Sequence, residues 1–95
     1  MVVIPYDADP IKRQRIEWGQ NIQQALDCRM WTRKRLVKEI EDTYGLEVSL
    51  QAVGQWIKGD TAPNSIFQAA VSGVTEIPHH LLFPPIRLER RRQAA

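Results

Sequence analysis

The chain has 95 residues, so length alone predicts one domain with a small core. With 43% hydrophobic and 25% charged residues it is not a disordered chain, and its single cysteine, Cys28, excludes an internal disulfide and fits a reducing cytosol. The opening "MVVIPYDADPIKR" has too short an apolar run for a signal peptide, and no stretch is apolar enough for a membrane span.

The net charge of +2 says less than its distribution. Lys12, Arg13 and Arg15 form one basic group. Arg33, Lys34, Arg35 and Lys38 form a second, and Arg87, Arg90, Arg91 and Arg92 a third. Acidic residues gather at Asp7 and Asp9 and again from Glu39 to Glu47.

"DADP" predicts a helix start, with Asp9 as cap and Pro10 at the first helical position. Ile11, Trp18, Ile22, Ala25 and Leu26 then recur at helical spacing, which predicts a first helix over 10–30. Thr32 caps a second helix over 33–43, with Leu36, Val37 and Ile40 as its buried stripe. Gly45 suits its left-handed end. Ser49 caps a third helix over 50–58, which Gly59 ends. "DTAPNS" is a turn by composition. Asn64 or Ser65 opens a fourth helix, with Ile66, Phe67, Ala70 and Val71 apolar and a stop near Gly73. "TEIPHHLLF" predicts a short fifth helix, ended by the prolines at 84 and 85. "IRLERRRQAA" reads as a basic tail, or as an edge strand at "IRL". The expected fold class is all-α with about five short helices. It divides into an N-terminal arm (1–9), a folded domain (10–86) and a basic tail (87–95).

Catalysis and metal binding find no support, so no enzyme and no cofactor are expected. His79 and His80 are adjacent and diverge on a helix, and no further Cys or His sits near them to complete a zinc set. Neither a phosphate-binding glycine loop nor a nucleophile elbow is present. Cys28, near the end of the first helix, reads as a small packing residue.

The second helix gives the first positive signal. Arg33, Lys34 and Arg35 occupy its first turn, while Glu39, Glu41 and Asp42 lie towards its end. That order opposes the helix dipole at about 0.3–1 kcal/mol per exposed charge. An anionic partner at the helix start, such as a phosphate, would reverse the sign.

The third helix strengthens it. Val53, Trp56 and Ile57 form its inward side, and Gln51, Gln55 and Lys58 its outward side. Glutamine pairs bidentately with adenine in the major groove, and Lys58 at the far end suits a phosphate. Leu50 and Ala52 flank the stripe and suit thymine methyl groups. Gly54 costs about 1 kcal/mol against alanine inside a helix, so close approach of another backbone is expected there, from DNA or from the second helix.

The run Thr32-Arg33, Leu36-Val37, Ile40, Val48-Ser49, Val53-Gly54, Trp56-Ile57-Lys58-Gly59 and Pro63 resembles the phage repressor and Cro type of helix-turn-helix, the Xre-like family. "AVGQWIKGDTAP" is its most specific piece, "SGVTEIPHHLLF" is similar to that family's last two helices, and the resemblance covers about residues 15–83. It implies a lambda-repressor-like domain whose third helix enters the major groove. By position it makes Leu50, Gln51, Ala52 and Gln55 base readers and Arg33 and Lys58 phosphate contacts, with Lys34 beside Arg33. Two departures stand out. The family usually has glutamine where this chain has Arg33. "EDTYGLE" also makes the link from Ile40 to Val48 about six residues longer than the family's tight turn. Either the second helix is extended or the turn is a loop, and its acids must then point away from DNA.

The resemblance implies a small sequence-specific regulator in a bacterial or phage-infected cytoplasm, of the Cro-like repressor kind. It would bind double-stranded DNA at a near-palindromic operator as a homodimer, with no membrane or small-molecule partner and no residues left for a separate oligomerisation domain. The expected dimer contact is "HHLLFPPI", through Leu82, Phe83 and Ile86 with Leu81 beside them. The alternatives are an antitoxin-type autorepressor of the same fold and a helical protein-interaction module that binds a partner through the same "HHLLFPPI".

Overall fold

The computed structural model describes residues 9–85. Residues 1–8 of the N-terminal arm, the basic tail with its suggested edge strand, and Ile86 lie outside the described residues. Among those described, the chain is all-α: α1 (Pro10–Arg29), α2 (Arg33–Tyr44), α3 (Leu50–Lys58), α4 (Ser65–Thr75) and α5 (His79–Leu82). None of these helices is long and apolar enough to cross a membrane.

Local chemistry sets the helix starts. The Asp9 carboxylate accepts the Lys12 N–H at 2.8 Å, and Pro10 follows it. Thr32, Ser49 and Asn64 do the same for the N–H groups of Arg35, Ala52 and Phe67, at 3.1, 3.0 and 2.9 Å. Each bond satisfies a donor that the first helical turn leaves unpaired. Gly45 and Gly59 end α2 and α3 in the left-handed region, at φ 67° and 82°. Two other ends use residues that enter this region less readily. Met30 closes α1 at φ 57° and Glu76 closes α4 at φ 59°.

The expected stop of α4 near Gly73 is therefore corrected: the helix runs on to Thr75. Gly73 is there because the Tyr44 phenol lies over it, in the space a Cβ would take. The same contact settles the long link. Helix α2 continues through Tyr44, and five residues, 45–49, join it to α3. Leu46 and Val48 within that link pack against the core.

The core draws on every helix. Ile22, Ala25 and Leu26 of α1 meet Leu36 and Ile40 of α2, Val53 and Trp56 of α3, Ala70 and Val71 of α4, and Leu82 and Phe83 at the end of α5. Ile11 and Ile66, expected on apolar faces, are exposed. Cys28 is exposed as well, so it is not the packing residue expected of it.

The expected dimer patch is also corrected. Leu82 and Phe83 are each only 2% exposed. The Phe83 ring meets Trp18 edge-on at 5.3 Å. The Trp18 indole N–H donates to the Pro84 carbonyl at 2.8 Å, and Asn21 donates to the Leu82 carbonyl at 3.0 Å. These bonds hold the segment against α1 and turn both apolar side chains inward. Among the described residues of this group, only Leu81 is exposed.

Candidate nucleic-acid interface

Helix α3 sits with its back on α1. Gly19 makes this possible: a Cβ there would run into the carbonyl oxygens of Trp56 and Ile57. The helices cross at van der Waals contact of backbone on backbone, which fixes how far α3 stands out from the core. Trp56 is buried beside Phe67, with ring centroids 5.6 Å apart, and Val53 is fully buried. Ile57 is half-buried.

The other side of α3 faces outward. Leu50 is 52% exposed. Gln51 and Lys58 are exposed, and Ala52 and Gln55 are half-buried. The helix carries no acidic residue. Lys58 also lies in the last turn, where a cation is favoured by the dipole, so its position has a stabilising explanation too.

Gly54 is buried, and the group nearest its missing side chain is not a backbone. An ideal Cβ there would lie 3.3 Å from the Arg33 guanidinium. The expected close approach at Gly54 is therefore made by a side chain, from the first residue of α2. Arg33 itself is exposed, and its guanidinium lies against α3 at Gly54.

The rest of the second basic group divides. Arg35 donates from Nε to Glu39 Oε1 at 2.7 Å and stacks over Trp31 at 5.3 Å. Arg29 approaches the same indole at 5.6 Å and also donates to the Thr75 carbonyl at the end of α4. Arg35 is thus engaged within the fold. Lys34 lines a shallow groove with Met30, Trp31, Thr32, Arg35 and Lys38, so the structure separates it from Arg33. Among the described residues, Arg33, Lys34, Lys38 and Lys58 make no salt bridge. The first turn of α2 has no acid and its last turn no base, so the reversed charge order is not offset at either end. Glu41 and Asp42 are exposed in the last turns of α2, the end that Tyr44 docks on α4.

Sequence reasoning gave no role to Gly19 or to the Trp31 indole between two arginines. Gly19 carried a signal, since it lies inside a helix one residue from Trp18 and three from Ile22. Trp31 carried none, because Arg29 and Arg35 reach it from different helices. The histidines stay apart from any such chemistry: His79 Nε2 lies 2.8 Å from Gln68 Oε1, and His80 is exposed. The described residues hold no group of three or more potential metal ligands. Comparison of the chain with protein-family models, curated proteins and solved structures finds no match.

Proposed function

We propose that this chain is a sequence-specific DNA-binding regulator of the Cro-like repressor type, which places α3 in the major groove of an operator. One observation carries the reading. Leu50, Gln51, Gln55 and Lys58 share a face of a short, well-capped helix that holds no acid, and the exposed Arg33 guanidinium lies beside that helix at Gly54. The reversed charge order of α2 adds to it, because a phosphate near Arg33 would turn an unfavourable arrangement into a favourable one.

In this mechanism Gln51 and Gln55 pair with base edges, Leu50 and Ala52 touch thymine methyl groups, and Lys58 and Lys34 contact phosphates. Two copies on a near-palindromic site would have half-site centres about 34 Å apart and exclude other proteins from the promoter. Contact between the copies then falls on a surface other than Leu82 and Phe83, which close the core. An antitoxin-type autorepressor would use the same face of α3.

The test is binding to a pool of random duplexes at two salt concentrations, followed by selection. If each copy neutralises about three phosphates, a bound pair neutralises about six, and affinity falls on the order of 1,000-fold between about 50 and 200 mM salt. An inverted repeat should emerge from the selected pool. Undetectable binding at low salt removes the reading.

A second reading, a helical protein-interaction module, is favoured by one other surface. Tyr44 and Ile66, 48% and 60% exposed, border a shallow apolar groove with Leu46, Ala69 and Ala70. Binding of a protein partner without any binding of duplex DNA would select that reading.

A further inference from the structure

The flank of α3 that meets α2 has a gap at Gly54, and the side chain of Arg33 lies over it. Gly54 lies one turn beyond Leu50 on the same ridge, with Leu50 and Gln51 at i−4 and i−3. Leu50 is 52% exposed and has no hydrogen-bonding group. The Arg33 guanidinium lies over Gly54, with Nη1 3.3 Å from where a Cβ would stand. Its side chain is exposed, and among the described residues it makes no salt bridge.

A cation serving only a phosphate needs no glycine beneath it. From the first position of α2 it can extend into solvent, as its exposed neighbour Lys34 does. Glycine is the least favoured helix residue after proline, so local helix stability does not explain Gly54. The absence of a side chain does one thing here: it lets a planar, five-donor group lie along the helix instead of above it. Arginine presents two parallel N–H groups in a fixed fork, which matches O6 and N7 of guanine. Lysine carries the same charge without the fork.

We propose that Arg33 is a base reader for guanine, and that Gly54 is the gap that sets its guanidinium beside Leu50 and Gln51 on the groove face. The proposal rests on the DNA-binding reading above and replaces the phosphate role that position in the chain suggested for Arg33. The recognition face is then built from two helices, with α2 supplying its one fork of donors.

The experiment is selection from a random duplex pool with the wild-type chain and with Arg33→Ala, Arg33→Lys and Gly54→Ala, followed by affinities on the selected site and on single-base variants. The wild-type chain should require guanine at one position of each half-site. Arg33→Ala and Arg33→Lys should lose about 5- to 150-fold of discrimination at that position and keep it elsewhere. Arg33→Lys should also keep the salt dependence, because its charge is unchanged. Gly54→Ala should weaken the preference at the same position, with no change of charge, by displacing the guanidinium. If the Arg33 variants lose affinity equally on all sequences and select the same site as the wild type, Arg33 is a phosphate contact, and this proposal falls while the DNA-binding reading stands. If the wild-type chain selects no sequence, both fall.

Discussion

Gly19 and Gly54 both lie inside a helix, and they mark two sides of α3. Gly19 belongs to α1 and lies under the back of α3, where the Trp56 and Ile57 carbonyls occupy the space of its missing Cβ. Gly54 belongs to α3 itself and is buried on the flank towards α2, where the tip of Arg33 comes near. Backbone cannot retreat, but a guanidinium on a flexible stem can. The same residue type therefore has a structural necessity on one side and leaves room for a mobile, charged group on the other. The lesson concerns what a helix glycine means: its partner, not its cost, separates packing from recognition.

Four substitutions sharpen or break this contrast. Trp56→Ala, on the back of α3, should have the largest effect, with about 3–5 kcal/mol of stability lost in urea unfolding. Gly19→Ala should follow at about 1–3 kcal/mol or more, because two backbones must separate. A Gly19→Ala variant as stable as the wild-type chain would show that α1 and α3 are not in backbone contact. Gln51→Ala should leave stability within about 0.5 kcal/mol. On the selected DNA site it should cost about 1–3 kcal/mol of binding and relax one base preference. The smallest effect is expected of Gly54→Ala, which should raise stability by up to about 1 kcal/mol, since alanine favours the helix and only the Arg33 tip must shift. A loss of stability there would erase the difference between the two glycines.

The parts of the fold that were legible in the sequence are those settled within a few residues. Asp9, Thr32, Ser49 and Asn64 each cap an N–H three positions on, and Gly45 ends its helix with nothing near its missing side chain. Such features depend on neighbours along the chain, so a short window contains their cause. The outward row of Gln51, Gln55 and Lys58 was legible for the same reason, through helical spacing. What escaped depends on distant residues. The apolar run at 81–83 gave no sign of which side faces in, because Trp18 and Asn21, more than 60 positions away, decide it. Gly73 looked like a helix end because its cover, Tyr44, lies on α2. Gly54 signalled a close approach, but not that Arg33 makes it.

The bond from Trp18 to Pro84 spans 66 positions. Its consequence lies in synthesis rather than in the finished molecule. A nascent chain that has released α1 still lacks the strip that covers Trp18 and receives the side chain of Asn21. At about 5–20 residues per second, translation of those 66 positions takes roughly 3 to 13 s. Throughout that interval Trp18 lacks its Phe83 and Pro84 partners, and the part of α1 around it is open to a chaperone or to another nascent copy. The last-made segment of the domain is thus what seals its first-made helix.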